Sequence, residues 1–159
     1  MNFSKGPSLI LNSGSLNASS LTVQDKFGKY STGYVVGKGN RSFIELKRII
    51  DQLIKDNKLV GVKMPWIEDE NTGMVSIFSS NKKVIPVLTN DDKKADAKLV
   101  RDGQFCKLNV TPAAYCMEEV VAFRLPDGST GTQEVKKTGV KLFLNGIKLL
   151  DNQQDEELF

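Results

Sequence analysis

Aromatic and basic side chains alternate along several segments that have the composition of β-strands, and these residue types could bind a nucleic acid. Tyr30 and Tyr34 share one side of a predicted strand flanked by lysines, and Phe78 is followed closely by Lys82. Cations that follow the phosphates and rings that stack on bases hold single-stranded nucleic acid without sequence preference. For any single ring, a place in the core or at its rim is at least as good an interpretation. The predicted contact residues are Tyr30, Tyr34, Lys38, Trp66, Phe78, Lys82, Lys83, Phe105, Lys107, Tyr115, Lys141 and Phe143.

Residues 151–159 form a second candidate, an acidic segment that ends in an aromatic residue. They contain four acidic residues and no basic one, which leaves 22 basic against 15 acidic residues in 1–150, a formal charge of +7. Because the segment lacks the apolar spacing of a strand or helix, we predict a disordered tail. Its acids would imitate phosphates and compete for the basic body, while the terminal ring anchors in a partner. A solvated terminus with no role is the alternative. The predicted partner-binding residues are Asp155, Glu156, Glu157, Leu158 and Phe159.

Composition argues against catalysis. The chain has no His, which excludes a Ser-His-Asp or Cys-His nucleophilic site and imidazole metal ligands. Cys106 and Cys116 are predicted to be buried, reduced thiols because they have no CxxC partner. Residues 37–40 lack the spacing of a nucleotide-hydrolysing phosphate loop, and the acidic residues 68–70 lack a second set of metal ligands. We therefore expect no enzyme activity and no cofactor. An enzyme that uses carboxylates ranks last among the hypotheses; its candidates would be Asp91, Asp92 and Asp96.

A single helix is predicted over about residues 42–56. Ser42, with Glu45 three residues later, is a capping-box pattern in which each side chain bonds the other residue's free backbone N–H. The apolar residues that follow recur at three- and four-residue spacing, which makes a stripe for packing on a sheet. These residues are Phe43, Leu46, Ile49, Ile50, Leu53 and Ile54.

The rest of the chain has β-strand patterns. Strands are predicted near residues 8–17, 29–36, 74–80 and 84–89 and again after residue 103, with a hairpin around 126–128. In the last strand the apolar parity changes at Asn145-Gly146, which predicts a β-bulge in one continuous strand. A hairpin turn there is the competing interpretation. About six strands with one helix, in a chain of this length, favour a small antiparallel barrel.

With these elements placed, the chain resembles the OB-fold single-stranded DNA-binding proteins of tailed bacteriophages, the T7-like group. The matching features are the strand 29–36 that leads into the helix, Met64-Pro65-Trp66, the segment 102–112 completed by Tyr115, the closing strand 139–150, and the acidic tail. The resemblance implies a mainly β protein: a five- to six-stranded antiparallel Greek-key barrel with one α-helix. Residues 1–150 would form this OB-fold domain and residues 151–159 its C-terminal interaction tail.

The resemblance also implies a function. Proteins of that family coat single-stranded DNA during phage DNA replication, recombination and repair. Their tail contacts the DNA polymerase and the helicase-primase, and it can occupy the DNA site of its own or a neighbouring subunit. A homodimer is left open, no membrane partner is expected, and the expected location is the cytoplasm, that of the host cell if a phage encodes the chain. The competing hypothesis is a non-catalytic β-barrel adaptor or virion protein whose acidic tail docks on a partner.

Overall fold

The computed structural model describes residues 2–150, apart from the side chains of Asn2 and Glu119. The acidic segment 151–159, and with it the predicted partner-binding residues Asp155 to Phe159, lies outside the described residues. The elements in chain order are β1 (Asn2–Lys5), β2 (Leu9–Ser20), β3 (Tyr30–Gly37), α1 (Arg41–Asp56), β4 (Trp66–Asp69), β5 (Met74–Asn81), β6 (Val87–Leu88), β7 (Phe105–Arg124) and β8 (Thr130–Leu149).

Five of the strands close into a barrel. The ring runs β7, β2, β3, β5, β8 and back to β7, while the short strands β1, β4 and β6 pair with its members from outside. The neighbours in the ring are antiparallel except for β5 and β8, which are parallel at Ser80 and Phe143. A closed ring with an odd number of strands cannot alternate direction throughout, so one pair has to be parallel. The predicted OB barrel with one helix is therefore confirmed, and the expectation that every pair is antiparallel is corrected.

The barrel interior and one face of α1 share a single hydrophobic core. Alternate residues of the ring strands point inward, among them Leu11, Val75 and Leu144. The apolar stripe of α1 packs on this core, with Phe43 and Ile50 fully buried. Burial of this stripe, at about 25 cal/mol per Å² of apolar surface, is what fixes the helix on the barrel. Within residues 2–150 no helix is both long enough and apolar enough to cross a membrane.

The helix begins one residue earlier than predicted, with a different cap. Asn40 is the N-cap, and its side-chain oxygen accepts from the backbone N–H of Phe43 at 3.1 Å. Its side-chain amide donates to the Asn12 carbonyl at 2.8 Å, which ties the start of the helix to β2. The predicted capping box is wrong, because Ser42 is already inside the helix and Glu45 forms an ion pair with Arg48 instead.

The strands β7 and β8 form one long hairpin. The predicted segments after residue 103 are parts of these two twenty-residue strands, joined by the predicted turn at residues 126–128. The bulge prediction is confirmed: Asn109 pairs with Gly146 and Val110 with Leu144, so Asn145 is the extra residue. By contrast, the strand predicted for residues 84–89 is reduced to Val87–Leu88.

The tyrosine at the centre of β3 joins three strands inside the barrel. The Tyr34 hydroxyl donates to the Cys106 carbonyl at 2.6 Å and accepts from the Gly14 N–H at 2.9 Å. A Cβ at Gly14 would lie 2.6 Å from the Tyr34 ring, so only glycine fits there. Burial raises the pKa of the Tyr34 hydroxyl above its usual value. Burial also raises the pKa of the Cys106 thiol, to about 12. The ring has no face open to a base, which corrects the prediction that Tyr34 stacks on nucleic acid.

The thiols have different environments. Cys106 is buried as predicted, whereas Cys116 is exposed on β7, where the sheet continues beyond the barrel. The expectation of two buried thiols is therefore half wrong.

Replacement of Tyr34 by Phe should lower the free energy of unfolding by about 1–3 kcal/mol, because the Gly14 N–H and the Cys106 carbonyl lose their buried partner. Urea unfolding followed by circular dichroism measures the change. Tyr30→Phe is the matched control, since the described residues give the Tyr30 hydroxyl no hydrogen bond and its loss should cost little. Equal stability of the two variants would contradict this account of the core.

Candidate functional site

A groove of about 570 Å³ crosses the outer face of β3 and β5. Its floor includes Gly33 of β3 and Phe78 of β5, which are partners in register. The loop 21–29, which joins β2 to β3, forms one wall, and the base of the β7–β8 hairpin forms another. The residues 63–65 before β4, residues 17–18 of β2 and Phe3 of β1 complete the lining. The groove therefore collects residues from seven separate stretches of the chain.

Phe78 offers an open ring face in the middle of the floor. Its neighbours in the strand, Val75 and Ile77, point into the core, which leaves Phe78 46% exposed on the outer side. Gly33 lies beside it without a side chain, and a Cβ there would come within 2.9 Å of the Asn17 carbonyl oxygen. The glycine thus keeps the floor flat next to the ring and lets β2 approach β3.

Three rings form an aromatic row, Tyr115, Phe3 and Phe143, along one side of the groove. The Phe3 ring meets the Tyr115 ring edge to face at 6.2 Å and the Phe143 ring at 5.2 Å between centroids. Tyr115 lies over Gly139 of β8, where any Cβ would collide with the phenol ring. Edge-to-face pairs of this kind hold ring orientation, so the row is a fixed surface.

The wall formed by the loop 21–29 contains another aromatic ring, that of Phe27, and the Asp25 carboxylate fixes the conformation of this loop. Phe27 is 68% exposed, and the Lys26 ammonium lies 5.1 Å from the centre of its ring. The Asp25 side chain accepts from the backbone N–H of Phe27 at 2.8 Å and of Lys29 at 3.0 Å, which closes the loop into a turn. Among the described residues that line the groove, Asp25 is the one acidic side chain.

Lysines supply the charge of the groove. Lys29, Lys63 and Lys141 line it. The Lys141 ammonium lies 4.9 Å from the centre of the Phe143 ring, and that of Lys5 lies 5.2 Å from the same ring. Burial, together with the neighbouring ammonium groups of Lys29 and Lys82, lowers the pKa of Lys141 to about 8. The groove is thus a cationic surface floored with ring faces.

The apolar surface continues from the groove along the hairpin. Val121 and Phe123 of β7 share the face of Tyr115 and Met117, because alternate residues of a strand point to the same side. The Phe123 ring is 42% exposed and lies over Gly131, which repeats the arrangement of Tyr115 over Gly139.

The structure brings together some of the sequence-predicted residues. Phe78, Tyr115 and Lys141 line the groove, and Phe143 and Lys82 border it through their interactions with Phe3 and Lys141.

Others of the predicted residues lie elsewhere. The Trp66 ring packs edge to face against Phe43 of the helix at 5.2 Å between centroids, and Trp66 does not line the groove although the preceding residue, Pro65, does. Tyr34 is in the core and Tyr30 packs partly against it. The remaining four are absent from the groove lining, and Phe105 lines a separate cavity of about 370 Å³ with Leu99 and Leu150. These four are Lys38, Lys83, Phe105 and Lys107.

Four aromatic or basic residues that line the groove are missing from the set predicted from the sequence: Phe3, Phe27, Lys29 and Lys63. The run Lys26-Phe27-Gly28-Lys29 interleaves a ring with ammonium groups in a loop, where no strand periodicity marks it. Phe3 belongs to a four-residue strand that no pattern in the first residues predicts. Within residues 2–150, no group of three or more Cys, Asp or Glu side chains is placed to hold a metal ion.

Comparison with known proteins gives a consistent result at the level of the fold. No protein-family model matches the chain, and no curated protein matches it by sequence. Among solved structures, a C-terminal truncation of the single-stranded DNA-binding protein from bacteriophage Enc34 superposes with a TM-score of 0.65 at 11% identity, over 92% of this chain and 87% of that one. The Enc34 protein in complex with single-stranded DNA superposes with a TM-score of 0.62 at 11% sequence identity, over 89% of this chain and 85% of that one. The bacteriophage T7 protein gp2.5, a single-stranded DNA-binding protein, superposes with a TM-score of 0.55 at 13% sequence identity, over 96% of this chain and 93% of that one. The chain therefore has the fold of these phage single-stranded DNA-binding proteins over nearly its whole length.

Proposed function

We propose that the protein binds single-stranded DNA in the groove, without sequence preference and without catalysis. The observation that carries this proposal is the coincidence, in one groove of an OB barrel, of open ring faces with lysines from several segments. Every base has a face that can stack on a ring, and each stacked base contributes about 1–3 kcal/mol. A groove of this kind holds a strand through features that all DNA sequences share.

The ring faces favour a single strand over a duplex. Bases in a duplex are already stacked on each other and paired, so their faces are closed to Phe78 or to the aromatic row. An unpaired strand can turn its bases toward the floor while its phosphates face the lysines at the rim. The formal charge of +7 on residues 1–150 attracts such a strand from solution.

The finer role follows the family resemblance. We propose that the protein coats single-stranded DNA during phage DNA replication, recombination and repair, in the cytoplasm of the host cell. Residues 151–159 would compete with DNA for the groove and recruit the DNA polymerase and the helicase-primase, with Phe159 as the anchor. The likeness of the fold to that of the Enc34 protein, solved with single-stranded DNA, supports the DNA-binding part of this proposal.

Phe78→Ala should weaken binding of a labelled oligothymidine by about tenfold, the loss of roughly one stacked base. Fluorescence anisotropy of the label measures the dissociation constant at low salt. Phe105→Ala is the matched control, because Phe105 is 40% exposed, close to the 46% of Phe78, but lies outside the groove. An equal loss in both variants, or a loss only with Phe105→Ala, would place the DNA on another face. No binding by the parent protein would leave the adaptor hypothesis.

Binding should weaken steeply as salt rises. If about four lysines contact phosphates, the logarithm of the association constant should fall against the logarithm of salt with a slope of about −3. Lys63→Met should make this slope shallower by roughly 0.7, since one phosphate contact is lost. A slope near zero would show that charge does not drive the association.

Removal of residues 151–159 should tighten DNA binding at low salt and have little effect at high salt, because a competing polyanion is lost. A full-length variant with the four acids of this segment changed to their amides should behave in the same way. Phe159→Ala should leave DNA affinity unchanged but weaken capture of the DNA polymerase. Unchanged DNA affinity in the truncated protein would show that the tail does not mask the groove.

A further inference from the structure

Three lysines from three separate segments lie near one another at the groove. Lys29 ends the loop before β3, Lys82 follows β5, and Lys141 belongs to β8. Lys29 and Lys141 line the same groove, and the ammonium groups of Lys29 and Lys82 lie close enough to Lys141 to lower its pKa. We call these three residues the lysine cluster.

The surroundings of the lysine cluster leave its positive charge in excess. Asp25 is the carboxylate that attracts Lys141, and its effect is weaker than the opposing effects of burial and of the two lysines. Moreover, its side chain already accepts from two backbone N–H groups of the loop. From β1, Lys5 adds a fourth ammonium 5.2 Å from the centre of the Phe143 ring. Ammonium groups held near one another repel, and an anion placed among them would offset that repulsion.

The lysine cluster lies where the groove reaches the parallel pairing of β5 with β8 that closes the barrel. Lys141 lines the groove and is about half-buried, and the residue two positions further along β8, Phe143, is the register partner of Ser80. A strand that stacks on Phe78 therefore passes beside Lys141 as it moves toward the aromatic row. A phosphodiester is the anion that such a strand carries at every step.

We propose that the lysine cluster is a binding site for one phosphodiester group of the DNA and that filling this site is coupled to the uptake of a proton by Lys141. This proposal rests on the proposed function. In the free protein, burial and repulsion keep part of the Lys141 population neutral near pH 8, because its pKa is about 8. A phosphate among the three lysines favours the charged form, so Lys141 takes up a proton as the strand binds.

Isothermal titration of the full-length protein with oligothymidine at pH 8, in HEPES and in Tris, tests the coupling, because the two buffers differ in ionisation enthalpy. We expect an uptake of up to about half a proton per protein at pH 8, and close to none at pH 6, where Lys141 is already charged. The affinity should fall by up to about tenfold between pH 7 and pH 9 as the neutral fraction grows.

Lys141→Arg decides whether the proton belongs to the cluster. Arginine stays charged throughout this pH range, so the variant should still bind oligothymidine while the proton uptake and the fall in affinity between pH 7 and pH 9 disappear. Lys83→Arg is the matched control, because Lys83 is exposed next to the cluster but does not line the groove, and it should keep both.

Three outcomes separate the proposals. DNA binding without proton uptake at pH 8 would overturn the phosphate site as proposed and leave the DNA-binding function standing. Uptake that persists in Lys141→Arg would assign the proton to another group, such as the α-amino group, which titrates in the same range, and would also overturn it. No DNA binding by the parent protein would instead remove the proposed function.

Discussion

The parallel contact between β5 and β8 is the constraint on which the rest of the structure depends. Five strands cannot close with alternating directions, so one junction of the barrel joins strands that run the same way, at Ser80 and Phe143. The Asn81 side chain reinforces this junction by donating to the Leu144 carbonyl at 3.1 Å. The junction brings Phe78 and Lys82, at the end of β5, next to Lys141 and Phe143 of β8. The rings and the charges of the groove share one surface because the barrel closes there.

Glycines determine how the rings are presented on that surface. Gly33 leaves the floor flat beside Phe78, and Gly139 provides the space that the Tyr115 ring occupies. Further along the hairpin the Phe123 ring lies over Gly131 in the same way as Tyr115 lies over Gly139. An aromatic side chain that lies across a glycine in the neighbouring strand keeps one face covered and the other open. The open face is the one that a base could use, and it costs little further ordering because the ring is already held.

The sequence predicted the parts of the fold that depend on local periodicity. The three- and four-residue spacing from Phe43 identified the helix, and the change of parity at Asn145 identified the bulge, because both signals lie within a few neighbouring residues. The parallel closure depends on residues far apart in the chain, and no local pattern encodes it. The cap at Asn40 combines a local bond to the Phe43 N–H with a bond to the distant Asn12 carbonyl, and only the first of these could be read from the sequence. Tyr34 shows the same limit within the site. It lies on the same side of β3 as the core residue Val36, but an aromatic ring can occupy either the buried or the exposed side of a strand, so the sequence pattern alone did not place it in the core. Phe3 and Phe27 reach the groove only through the folded arrangement of β1 and the loop 21–29.

The long β7–β8 hairpin also bears on the order in which the molecule is assembled. Its strands are joined by a short turn, so their pairing closes small loops and has a low entropic cost. The junction of β5 with β8 links residues 63 positions apart, as Asn81 and Leu144 show, and has to overcome a larger loop-closure entropy. We therefore expect the hairpin to form early and the barrel to close late. A chain still leaving the ribosome would then expose separate rings and lysines before it has a groove, and the binding surface would appear only when folding is complete.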